Sequence, residues 1–138
     1  MLMDIWELQS MQGLKLVLAH VERYIGFQRD RSAWEHIMEM DVTFQLNAGS
    51  FLHQGFSFEK WKKTKFCLSF LAGHANTIIG SDCHNMTSRK PNLFEARMVI
   101  DNQLGRPTLE RIDRAAREIL QLQSMGGQRK SFTRGLKE

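Results

Sequence analysis

A chain of 138 residues accommodates one domain and is short for two. Its apolar share of 42% suits a globular protein, its two cysteines cannot build a disulfide framework, and no stretch approaches the ~20 consecutive apolar residues of a membrane span. The net charge of +4 is no nucleic-acid signature: the last thirteen residues, GGQRKSFTRGLKE, hold Arg129, Lys130, Arg134 and Lys137 against Glu138 and leave the body nearly neutral.

The elements alternate along the chain. Ile5, Leu8 and Met11 recur at helical spacing in an opening segment that Gly13 would stop. That segment carries Asp4 and Glu7 and no basic region before an apolar block, so it does not read as a secretory signal, and a cytoplasmic protein is expected. KLVLAH (15–20) is short, continuous and apolar, the mark of a buried strand. Asp30 to Met40 returns to helical spacing, with Trp34, Ile37 and Met38 on one side. VTFQLNA (42–48) is a second strand closed by Gly49, and Phe58 to Leu71 a further helix. NTIIGSD (76–82) supplies a third strand. Pro91 suits the first turn of a helix running to about Asn102, and Thr108 the N-cap of a last amphipathic helix. Residues 1–125 then form the folded part, and 126–138 a basic, disordered tail.

Strands separated by helices, with near-continuous apolar runs, predict an α/β fold of parallel strands covered by helices. Polar residues fall at one place in each unit. His20 follows LVLA, Asn47 follows FQL, and Asp82 and His84 follow IIGS. In barrels and open α/β sheets alike, the C-terminal ends of the strands carry the active site.

The segment SDCHN (81–85) admits three chemistries. Asp82 and His84, two apart on extended chain, would project from one face and could serve a divalent ion. An Asx-type turn, with Asp82 capping local backbone and His84 exposed, is the plainer alternative. Cys83 and Arg89 have the Cys-x5-Arg spacing of a cysteine-dependent phosphatase, but the intervening residues contain no glycine to allow the tight phosphate-cradling curl, so that match is read as coincidence. Arg23 is either a surface cation paired with Glu22 or Asp30, or a guanidinium placed for phosphate; Arg89, near a helix start, also suits an anion. His36, His53 and His74 look structural, the last set to meet the end of its helix.

LVLAHVERY, FQLNAGS and IIGSDCHNMTSRKPN, in that order and separated by helices, resemble the polymerase-and-histidinol-phosphatase (PHP) superfamily, and within it the metal-dependent protein-tyrosine phosphatases of bacterial capsule and exopolysaccharide systems. The resemblance implies the C-terminal half of a distorted, TIM-like β/α barrel. His20, Asp82 and His84 match its metal ligands, for a divalent cluster that is commonly manganese. Arg23 and Arg89 match its phosphate-holding arginines, and Cys83 falls at a variable position. The implied partner is a phosphotyrosine protein such as a bacterial tyrosine kinase, with no nucleic acid. The family's opening H-x-H motif is not found among the five histidines, so the chain resembles only part of the barrel. Two alternatives stay open: another PHP-type phosphoesterase, and a non-catalytic phosphate-binding or interaction remnant. An open sheet edge and exposed apolar surface would favour association between copies.

Overall fold

The structure, a computed structural model, describes Glu7, Met11 and residues 14–24, 29–52, 57–74, 76–87 and 91–126. Three strands, β1 (Leu16–Ala19), β2 (Val42–Asn47) and β3 (Thr77–Gly80), form one parallel sheet in the order β1-β2-β3. Leu16 pairs with Val42, and Phe44 in turn with Thr77. Among the described residues, four helices with defined bounds follow the strands: α1 (Arg31–Glu39), α2 (Phe58–Gly73), α3 (Leu93–Leu104) and α4 (Arg106–Gly126). Mixed α/β architecture with parallel strands is therefore as the apolar runs predict. Of the opening helix only Glu7 and Met11 are described, both helical; Gly13, His53, Arg89 and residues 127–138 lie outside the described residues.

Side-chain alternation divides the sheet into two faces. Leu16, Leu18, Val42, Phe44, Leu46 and Ile79 share a core with Ile37 of α1, Cys67, Phe70 and Leu71 of α2, Ile100 of α3, and Leu109 and Ile112 of α4. Helical spacing on each helix explains why these residues, and not their neighbours, face the strands. On the opposite face stand Val17, Thr43, Gln45, Asn47, Ile78 and Gly80. Val17 and Ile78 take no part in the core, and Val17 is exposed. All six residues of β2 are buried because the strand is central, so its polar residues need partners inside the protein.

The helix ends follow local chemistry. The Asp30 carboxylate accepts the Ala33 N–H at 3.1 Å and caps α1. His74 closes α2: its N–H and ring Nδ1 both meet the Phe70 carbonyl, at 3.0 and 2.9 Å, and the ring stacks on Phe70. Gly105, at φ 83°, ends α3 in a conformation that favours glycine. Three boundaries differ from the sequence expectation. Pro91 precedes α3, which opens at Leu93 after Asn92. Thr108 is not an N-cap, because α4 opens at Arg106 with Pro107 in its first turn, where the missing N–H is harmless. Thr108 instead donates its hydroxyl to the Leu104 carbonyl at 3.3 Å. β3 stops at Gly80, so Asp82 lies beyond the strand. Among the described residues no helix is long and apolar enough to cross a membrane.

Candidate functional site

The first rim residue is set by a turn. His20 follows β1 with φ 57° and ψ 45°, a left-handed conformation that histidine adopts more readily than branched residues do. Its carbonyl accepts the Arg23 N–H at 2.8 Å, which closes a 3-10 turn over Val21–Arg23. Val21 is fully buried and anchors that turn. The turn leaves Arg23 half-exposed with its Nη2 3.2 Å from Asp82 Oδ2. Pairing of Arg23 with Glu22 or Asp30, the bland alternative, is not what forms.

β2 supplies the supports. The Gln45 amide oxygen accepts the His20 N–H at 3.0 Å and its Nε2 donates to the Leu46 carbonyl at 2.9 Å. The side chain runs over Gly80, where a Cβ would come within 2.6 Å of Gln45 Nε2. A side chain at Gly80 would therefore have to displace the Gln45 amide, so the close approach, and not a turn, favours glycine there. Two residues on, Asn47 accepts the Gly49 N–H at 2.9 Å and donates its Nδ2 to Asp82 Oδ2 at 3.2 Å. Glu22, buried at 4% exposure, accepts the Asn47 N–H at 3.3 Å and the Ser50 hydroxyl at 3.0 Å. It thereby ties the turn after β1 to the turn after β2. Among the described residues its Oε2 and the Nδ1 of His20 are buried with no partner.

Asp82 stands at the centre. It too is left-handed, at φ 51°, so the extended-chain geometry expected for Asp82 and His84 does not hold. The two are brought together instead by that bend: His84 Nδ1 lies 2.8 Å from the Asp82 carbonyl and 3.8 Å from Asp82 Oδ1. His20 Nε2 reaches the same Oδ1 at 3.8 Å. The Asp82 side chain is only 17% exposed, against 29% for His20 and 56% for His84. Partial desolvation opposes its ionisation, but the Arg23 hydrogen bond and the positive charges of His20, His84 and Arg23 prevail and hold the carboxyl below its ordinary value. The Asx turn is real but three residues along: Asn85 Oδ1, not Asp82, accepts the Thr87 N–H at 3.0 Å.

An imidazole pair and a carboxylate are donors suited to a divalent ion. Yet among the described residues no group of three or more histidines, cysteines, aspartates or glutamates is disposed to hold one. The donor types fit, and their present arrangement does not by itself enclose a metal. Gln45, Glu22 and Gly80 have no part in the sequence-based assignment of the rim, and Asn47 only a place on it. For Gln45 and Asn47 the signal was the period-two alternation of Thr43, Gln45 and Asn47 with Val42, Phe44 and Leu46.

Residues 3–121 match the family described as capsular polysaccharide synthesis, CpsB/CapC. The chain belongs to that family. Among curated CpsB/CapC relatives, the "tyrosine-protein phosphatase CpsB" of Streptococcus agalactiae serotype V is 31% identical over 97 residues, which are 70% of this chain and 40% of the relative. The serotype III protein gives the same figures. The protein of that name from Streptococcus pneumoniae is 29% identical over 96 residues, 69% of this chain and 40% of the relative. The chain thus spans about two fifths of the length of these CpsB relatives. In this CpsB/CapC chain Cys83 is exposed, and its thiol donates to the Asn85 carbonyl at 3.7 Å.

Proposed function

We propose that the chain carries part of the active site of a metal-dependent protein-tyrosine phosphatase that regulates capsule or exopolysaccharide synthesis in the cytoplasm. Its sheet is then one sector of a distorted PHP-type β/α barrel, with the helices on the outer face and Val17, Gln45 and Ile78 toward the barrel interior. One observation carries the reading. Residues from the ends of β1 and β3, 59 apart in sequence, meet at a single carboxylate on the C-terminal rim of the sheet. Membership of the CpsB/CapC family and the phosphatase name of the relatives supply the reaction class.

In this reading His20, Asp82 and His84 contribute ligands to a divalent cluster, with manganese the expected metal, and further ligands come from outside the described residues. A bound cluster supplies an activated water and neutralises phosphoryl charge. Arg23, with Arg89 as its expected companion, leaves the Asp82 carboxylate to hold the phosphate of a phosphotyrosine protein, for which an autophosphorylated bacterial tyrosine kinase is the expected source. Asn47 and Gln45 keep Asp82 and the His20 backbone in place. A second reading has its own observation: the donors of the described residues do not close around an ion, which favours a segment that binds phosphate without turnover when alone.

The test is a chimera in which the matched segment replaces its counterpart in the Streptococcus agalactiae relative. The expected result is chelator-sensitive hydrolysis of a phosphotyrosine peptide. His20→Ala or Asp82→Asn should lower kcat at least ~100-fold, and Arg23→Ala should raise KM. Cys83→Ser should change neither. Activity that survives chelation but not Cys83→Ser would replace this reading with a cysteine phosphatase. The 138-residue chain alone is expected to bind manganese weakly in calorimetry and to turn over little aryl phosphate.

A further inference from the structure

Away from the rim, the outer surface of α2 carries chemistry that neither the core nor the site uses. Its first turns read FEKWKKTKF, with Lys60, Lys62, Lys63 and Lys65 against Glu59. Lysines at the start of a helix sit at the positive end of its macrodipole, so helix stability does not account for them. Phe58 and Trp61 are exposed at 67% and 48%, stacked at 5.8 Å with 14° between their planes. Lys62 Nζ lies 4.4 Å from the Phe58 centroid and Lys65 Nζ 5.1 Å from that of Trp61. Beside them a cavity of about 600 Å³ opens between α2 and α3, lined by Trp61, Lys65, Leu68, Val99 and Leu104.

We propose that this groove docks an acidic peptide segment that carries an apolar side chain. Carboxylates of the segment meet Lys62 and Lys65, whose ammonium groups the rings already hold in place, so less side-chain freedom is lost on binding. The apolar side chain enters the groove between Leu68, Val99 and Leu104. Charge complementarity selects an acidic partner. The concave shape favours a peptide over a bilayer, which cannot enter a cleft between two helices. Nucleic acid is disfavoured because each ring already has a lysine over its face and a second ring beside it, leaving no free platform for a base. Parallel strands make α2 start at the end of the sheet where β2 stops, the end that holds Asp82. A docked segment would therefore lead toward the rim, as sequence flanking a phosphorylated residue must. The docking itself stands on the groove and not on the phosphatase reading.

The test is fluorescence anisotropy with the full chain and a labelled peptide of twelve residues, rich in glutamate and aspartate with one central leucine, and the same peptide with glutamine and asparagine for the acids. The acidic peptide should bind, and more weakly as salt rises. The double variant Lys62→Glu/Lys65→Glu, exposed and thus expected to fold, should weaken binding roughly tenfold or more, and Trp61→Ala by several-fold. Circular dichroism checks the fold of each. Equal binding of both peptides, binding unchanged in the double variant, or response only to phosphatidylserine vesicles would overturn the proposal. An acidic peptide that binds here while the chimera hydrolyses nothing would leave the docking intact and remove the phosphatase reading.

Discussion

At the scale of single residues, the contact between Gly80 and Gln45 makes the sharpest claim. An alanine at Gly80 must displace the buried Gln45 amide, because the added carbon meets Nε2 at 2.6 Å, and that amide bonds the Leu46 carbonyl through Nε2 and the His20 N–H through its oxygen. Gly80→Ala is expected to destabilise the fold by about 1–3 kcal/mol in urea titration. Shortening the obstacle should relieve it: in the double variant with Gln45→Ala the two losses should fall well short of their sum. Additive losses would mean that the two residues do not press on each other. The cysteines give a second, chemical test. Burial first, and the charge of Glu22 second, push the Cys67 thiol up to about 12, whereas Cys83 is exposed. Iodoacetamide at neutral pH should therefore label Cys83 alone in the native chain, and both residues in denaturant, as read by peptide mass mapping.

Among the elements, α3 and α4 are joined by a bidentate pair: Arg97 Nη1 and Nη2 meet the two oxygens of Asp113 at 2.6 and 2.9 Å. The hydrogen bond from Arg97 is the main cause that holds the Asp113 carboxyl below its ordinary value, against some desolvation. A carboxyl lowered in the folded state adds stability above its unfolded pKa, near 3.9, and that share is lost as pH falls through the folded value. Asp113→Asn should therefore cost about 1 kcal/mol at neutral pH, since the pair is partly exposed, and should flatten the acid limb of a stability–pH curve between pH ~4 and the folded pKa. The elements are also where the sequence was most legible. Apolar runs located the three strands of the described residues, and the spacing of Trp34, Ile37 and Met38 located α1 with its Asp30 cap. It failed where tertiary contacts decide. The turn at Asp82 depends on Arg23 and Asn47, residues 59 and 35 positions away, and no local pattern announces a left-handed aspartate. His20, Asp82 and His84 were legible as rim residues because each follows an apolar run. Glu22 and Gln45 were not, because their partners lie on other strands and turns.

For the whole molecule, the sheet has one face covered by helices and one without a place in the core. β1 pairs with β2 alone among the described residues, and Val17 on it is 42% exposed. A strand at the end of a sheet, with an apolar side chain beside it, invites another chain. The 138-residue chain is expected to self-associate with rising concentration in sedimentation velocity, and Val17→Lys to reduce that association without lowering the melting temperature by more than a few degrees.

The strand order has a consequence in time. Because β1, β2 and β3 neighbour each other in the order in which they are synthesised, each new strand can add to an edge that already exists. The bond from His20 to Gln45 closes a loop of 25 residues, that from Asn47 to Asp82 one of 35, and that from Arg23 to Asp82 one of 59. Closure entropy rises with length, so the supports on β2 can form before the carboxylate arrives. The rim is assembled scaffold first and Asp82 last. Opening should run in reverse: Asp82 can swing away while His20, Gln45 and Glu22 hold, which lets the C-terminal end of the sheet loosen without unfolding the core.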